Sequence, residues 1–138
     1  MGQNALLGST KRSYSVMSDP IYICESSALT DGGLGVRFPV TADGGDRTGF
    51  VVRYGDTAHA YLNRCAHLPM ELDWNPGEFF EEGGLYLVCA THGAMYEPDT
   101  GRCAGGPCRG GKLHKLHVIE QDNKIFWAPD NDVRPALA

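Results

Sequence analysis

Short runs of four to eight residues, alternating between apolar and polar positions and closed by glycine-bearing or polar turns, dominate this chain. Residues 21–24, 36–40, 49–54 and 57–63 read as strands in the first half. The turn Ala42-Asp43-Gly44-Gly45-Asp46 predicts a hairpin between the second and third. Residues 26–29 predict a single helical turn ahead of Gly32-Gly33. Further on, residues 85–88 and 112–119 are strand candidates, and Leu116 and Val118 share a face in the latter. Residues 124–127 pair back on that strand across Gln121-Asp122-Asn123. Residues 1–18 are rich in Ser, Thr and Gly with little periodicity and predict a flexible lead. The polar, proline-bearing segment 129–138 reads as a C-terminal tail. The pattern predicts an all-β fold of antiparallel sheets in one domain, residues 19–128.

Composition narrows the function classes. The chain has 138 residues, 42% of them hydrophobic and 21% charged, enough to bury a modest core. Eighteen glycines and eight prolines fit a turn-rich strand fold. A formal charge of −5 without any basic cluster argues against nucleic acid as a partner. No stretch is long and apolar enough to span a membrane, Ala5-Leu6-Leu7 is too short for a signal-peptide core, and position 6 is Leu where myristoylation asks for Ser or Thr. The cytoplasm is therefore the expected compartment.

Two mixed ligand pairs carry the chemistry: Cys65-Ala66-His67 and, after a 21-residue spacer, Cys89-Ala90-Thr91-His92. Each offers one thiolate and one imidazole. Two of each suit a two-iron, two-sulfur cluster with both cysteines on one iron and both histidines on the other. A structural zinc site also uses two Cys and two His. Zinc fingers, however, pair like with like and set their histidines on a helix, which Gly93 and Pro98 oppose here. Replacing two thiolates by neutral imidazoles makes the cluster less negative, so it accepts an electron more readily.

The residues that follow are His92-Gly93-Ala94-Met95-Tyr96, then Thr100-Gly101, then Gly105-Gly106-Pro107-Cys108. In this order and spacing the chain resembles the Rieske [2Fe–2S] protein family, over roughly residues 20–128 and most specifically between 63 and 108. The resemblance implies a β-sandwich base with an inserted cluster-binding subdomain at about residues 63–110, and one Rieske-type [2Fe–2S] cluster. It implies that Cys65 and Cys89 bind the inner iron, that His67 and His92 bind the outer one, and that Gly106-Pro107 belongs to a proline loop covering the cluster. Tyr96 matches the family's tyrosine that donates to a cluster thiolate.

Departures from the family pattern matter as much. Respiratory Rieske proteins join their ligand loops by a disulfide; here the matching positions are Met70 and Thr91. Their serine donor to a bridging sulfur is Ala94 here. The chain therefore resembles the ferredoxin-type branch, with a potential expected in the lower part of the Rieske range of about −150 to +300 mV. The long spacer puts a turn-rich acidic loop, residues 73–82, beside the cluster. Its Trp74, Phe79 and Phe80 read equally as a cap or docking spot and as core.

Of the remaining cysteines, Cys24 reads as a buried thiol, and Cys103 and Cys108 as a potential pair for which free thiols are favoured in a reducing compartment. His59, His114 and His117 read as surface or packing residues; the last two fall on opposite faces of a strand. No facial triad for mononuclear iron and no nucleotide fingerprint is present. The resemblance thus implies an electron carrier, taking single electrons from a flavin reductase to an oxygenase-type acceptor. The alternatives are an accessory subunit of a larger oxidoreductase and a non-redox structural or sensor module.

Overall fold

In the computed structural model, residues 19–66, 70–91 and 93–136 are described. Among them run β1 (Ile21–Glu25), β2 (Val36–Ala42), β3 (Gly45–Tyr54), β4 (Thr57–Leu62), β5 (Leu87–Val88), β6 (Met95–Tyr96), β7 (Cys103–Gly105), β8 (Lys115–Gln121), β9 (Lys124–Ala128) and β10 (Val133–Pro135). The one turn of helix is a 3-10 turn, Ser26–Ala28. The predicted lead 1–18 lies outside the described residues.

Turn chemistry sets the hairpins. Asp43 and Gly44 both have positive φ, 52° and 75°, and so do Asp122 and Asn123, at 55° and 63°. Two consecutive left-handed residues match the right-handed twist of the flanking strands, which is why Asp-Gly and Asp-Asn close these two-residue loops. Pairing then proceeds antiparallel from Ala42↔Gly45 to Val36↔Val51, and from Gln121↔Lys124 to His117↔Ala128.

The described strands form a seven-stranded sheet ordered β1-β9-β8-β4-β3-β2-β10 and a three-stranded sheet ordered β5-β6-β7. In the larger sheet β2 and β9 are separated by three strands, yet the Phe38 and Trp127 rings lie 5.4 Å apart. The sheet therefore curls over on itself, around a core that includes Val40, Val51, Ala60, Leu62, Leu116, Ile125 and Trp127. The C-terminal segment contributes too. Val133 is buried in this core and β10 pairs with β2, so a stretch that reads as tail in the sequence completes the sheet edge.

β3 and β4 are buried on both faces. Val51, Ala60 and Leu62 face the curled core, while Phe50, Val52 and Tyr61 face a second core shared with Leu72, Phe79, Leu87, Cys89 and Tyr96. Period-two alternation thus gives a run of four buried residues at 49–52 because the two faces meet two different apolar layers. Phe79 stacks on Phe50 with centroids 3.9 Å apart and planes 9° from parallel. The Tyr61 hydroxyl donates to the Pro98 carbonyl at 2.7 Å. These contacts seat the small sheet on the outer face of the large one, and the second core holds both ligand-pair cysteines.

Candidate metal centre

The first ligand segment leaves the end of β4. Its backbone closes where the Cys65 N–H donates to the Met70 carbonyl at 2.8 Å. The second forms a tight hairpin between β5 and β6, with Cys89 N–H to Ala94 O and Gly93 N–H to Cys89 O, each 2.8 Å. The Ala90 N–H donates to the Leu72 carbonyl at 2.9 Å, tying one segment to the other. Cys65 and Cys89 are 3% and 0% exposed and belong to the same core. The structure thus brings the two sequence-predicted cysteines together. His67 and His92 lie outside the described residues.

Tyr96 bridges the segments. Its Oη accepts from the Ala66 N–H at 2.9 Å and lies 3.2 Å from Cys65 Sγ. A thiolate only accepts, so with Cys65 ionised the phenol is the donor of this contact. Burial first, and the contact with Cys65 next, push the Tyr96 hydroxyl well above its ordinary pKa, so it stays a donor. A donor aimed at a buried thiolate is the chemistry an iron–thiolate bond tolerates and a neutral core does not need.

A third segment covers the pair of loops. Gly106 has φ +83°, and a Cβ there would lie 2.8 Å from the Gly93 carbonyl oxygen and 3.0 Å from Ala94 Cα. Only a residue without a side chain allows this backbone approach. Pro107 follows it on the exposed face. The proline loop expected from the sequence therefore meets the second ligand loop.

Cys103 and Cys108 are joined by a disulfide with Cα atoms 5.6 Å apart. The sequence reading favoured free thiols, on the expected reducing compartment, and the structure corrects it: the tight turn through Gly105, Gly106 and Pro107 brings the two sulfurs into bonding range. Cys24 is a buried thiol of β1, and burial pushes its pKa up. His114 and His117 are exposed and His59 is half-buried in β4.

Sequence reasoning missed the anchor of the spacer loop. Asp73, from a stretch that reads as a turn-rich acidic loop, is buried. Its carboxylate accepts from Arg37 Nη1 at 3.1 Å, Asn63 Nδ2 at 2.9 Å and the Gly77 N–H at 2.9 Å. Asn63 Oδ1 in turn accepts from the Leu72 N–H at 2.8 Å. The network fastens the spacer to β2 and to the approach of the first ligand segment. The three aromatics divide: Phe79 is core, Phe80 is half-buried and stacks near Tyr54, and Trp74 is 79% exposed. Beside Cys65 a cleft of about 720 Å³ opens, lined among others by Arg64, Lys112, His114 and Asp132.

The sequence model of the Rieske [2Fe-2S] domain matches residues 19–119. This chain belongs to the Rieske [2Fe–2S] family. Its cofactor is a Rieske-type [2Fe–2S] cluster, and its buried cysteines, Tyr96 donor and glycine-lined cover fit that group. No curated protein sequence matches. Among solved structures, the chain is similar to the ferredoxin of carbazole 1,9a-dioxygenase from Nocardioides aromaticivorans IC177. The identity is 26%, the TM-score is 0.64, and the match covers 82% of this chain and 100% of that one. It is similar in fold to the Sphingomonas yanoikuyae B1 ferredoxin, at 18% identity and TM-score 0.63, covering 81% and 100%. A chain of the complex of reduced oxygenase and oxidized ferredoxin in carbazole 1,9a-dioxygenase matches at 24% identity and TM-score 0.61, covering 79% and 92%. No helix among the described residues is long and apolar enough to cross a membrane.

Proposed function

We propose that this Rieske protein is a small ferredoxin that carries single electrons from a flavin reductase to an oxygenase-type acceptor, with Cys65, His67, Cys89 and His92 as the cluster ligands. The observation that supports the ligand set is the gathering of one cysteine from each pair into a single buried core, beneath a tyrosine hydroxyl. The carrier reading rests on the match over the full length of a dioxygenase ferredoxin.

When bound, the cluster supplies a one-electron centre at a potential above that of an all-thiolate cluster. The protein's part is to hold it still. Cys65 and Cys89 are buried in one core and fixed by loop hydrogen bonds, Cys65 beyond the end of β4 and Cys89 at the end of β5, so little reorganisation accompanies a change of charge. Tyr96 offers a proton to Cys65 without giving it up. Phe50, Phe79 and Leu72 keep water off the cysteine side. The exposed Trp74, with Glu71 and Glu78 nearby in sequence and also exposed, presents an apolar and acidic face to a partner.

The test is anaerobic single turnover. The dithionite-reduced, desalted protein is mixed with an oxidised Rieske terminal oxygenase as its only source of electrons. The carrier reading expects one electron delivered per chain to the oxygenase, and product in proportion once substrate and oxygen are then admitted. Failure to pass an electron to any of a panel of ring-hydroxylating oxygenases would overturn it.

A further inference from the structure

The disulfide lies in a segment that contacts described residues of both cysteine-bearing segments. Cys103 stands in β7 directly across from Tyr96, whose hydroxyl reaches Cys65. From Cys108 the chain turns back through a 2.7 Å bond from the Gly111 N–H to the Cys108 carbonyl. Gly111 packs so closely on the first ligand segment that a Cβ there would lie 3.1 Å from Ala66 Cβ. Between the two cysteines, Gly106 presses on Gly93 and Ala94 of the second segment. The disulfide-closed loop thus holds the second ligand segment and the strand bearing the tyrosine, and Gly111, bonded to Cys108 just beyond it, packs on the first.

A bridge with a sequence separation of only 5 removes far less freedom from the unfolded chain than a long one. Its consequence is local: it fixes the cover. The two sulfurs also differ in access. Cys108 is 3% exposed and sits in the core, whereas Cys103 is half-buried at its edge. An attacking thiolate therefore has one approachable sulfur.

We propose that Cys103–Cys108 is a second redox site of this protein, a thiol–disulfide exchange site for a dithiol reductant, whose state sets how firmly the proline loop covers the one-electron centre. A thiolate of the reductant attacks Cys103 Sγ, the S–S bond breaks, and Cys108 leaves as a thiolate that takes up a proton. The reductant's second thiol then attacks the mixed disulfide and releases Cys103 as a thiol. Two electrons and two protons pass to the pair, and the reductant becomes a disulfide. Once open, the loop keeps the β6–β7 pairing and the backbone bonds of Cys103 and Cys108 to Gly111, but its Gly106-Pro107 tip is held to the second ligand segment by packing alone, and the cover loosens there. The part of the proposal that concerns the cluster rests on the ligand assignment made above.

The experiment uses the holoprotein, purified without reductant and with its iron and sulfide content measured first. It is alkylated under native conditions with iodoacetamide, before and after dithiothreitol, and weighed intact. Iron release to a chelator is timed in both states, alongside the Cys103→Ser/Cys108→Ser double variant. The expected result is no added mass at Cys103 or Cys108 before dithiothreitol and one adduct on each after it. Iron release should become several-fold faster in the reduced state, and equally fast in the double variant with no further response to dithiothreitol. Alkylation of both cysteines before any reductant would overturn the proposal. So would a disulfide that native dithiothreitol leaves intact, or an unchanged rate of iron release on reduction. Failure of the ligand assignment would show separately, as missing iron and sulfide at the outset, with the mass shifts still reporting on the disulfide.

Discussion

The Tyr96 hydroxyl lies 3.2 Å from Cys65 Sγ while accepting a 2.9 Å bond from the neighbouring Ala66 N–H, so a residue of the second ligand segment grips the first by side chain and backbone together. A donor to a thiolate ligand stabilises the more negative, reduced state. Tyr96→Phe removes the donor and leaves the ring. If about 1 kcal/mol of a charge-assisted bond is specific to the reduced state, the midpoint potential falls by roughly 40 mV. Protein-film voltammetry or a dye-mediated titration measures it. An unchanged potential would mean that the proton points away from sulfur.

Gly106→Ala should act on the cover and not on the base. The new Cβ would lie 2.8 Å from a backbone oxygen, at a φ of +83° that L side chains avoid. The local cost is about 1–3 kcal/mol. The curled core around Trp127 and Phe38 does not include this loop. Iron should therefore be lost to a chelator faster while urea unfolding of the base sheet barely moves. Equal loss in both measurements would show that the loop and base unfold as one unit.

Asp73→Ala should weaken the fold and the site together. It leaves the Gly77 N–H and Asn63 Nδ2 without their acceptor, and Arg37 with Glu71 at 3.0 Å as its remaining carboxylate. Arg37 is partly solvated, which tempers the cost to about 2–4 kcal/mol. Urea unfolding of the variant gives the value, and a loss below about 1 kcal/mol would mean that water replaces the carboxylate without difficulty.

How much of this was visible in the sequence depended on the length of each element. The hairpins at Asp43-Gly44 and Asp122-Asn123 were legible because turn chemistry and alternation agree there. The two- and three-residue β5, β6 and β7 are too short for a period to show, and of them only the approach to Cys89 was anticipated. β10 was missed because Val133 is its single fully buried residue, between polar neighbours and Pro135. That Cys65 and Cys89 come together in one core was legible from the spacing of the two segments. The supports of these cysteines were not, since an acidic loop such as 73–82 gives no sign of which carboxylate turns inward. Asp73 does so because three donors, on β2, beside the first ligand segment and at Gly77, converge on one point. The disulfide was obscured because the expectation of free thiols rested on an expected compartment, whereas the approach of Cys103 to Cys108 is set by the local turn.

Acid should destabilise the protein partly through His59. Burial, and then Lys115, hold its folded pKa below the ordinary value of 6.5. Above that value neither state binds the proton, and the group has no effect. As the pH falls through it the unfolded chain takes up a proton that the folded one resists, so stability drops toward the folded pKa. His59→Gln should flatten the loss of stability between pH 7 and 5.5, read as the difference from wild type in urea unfolding. Parallel profiles would show that His59 is protonated as easily folded as unfolded.

The central claim is that two imidazoles and two thiolates of this chain hold the cluster, and pulsed EPR of the dithionite-reduced holoprotein tests it most directly, with iron and acid-labile sulfide measured on the same sample. The account predicts two irons and two sulfides per chain and couplings from two histidine ring nitrogens, lost together with the Rieske-type signal in His67→Ala and in His92→Ala. A cluster without nitrogen couplings, or bound zinc with no sulfide, would contradict it.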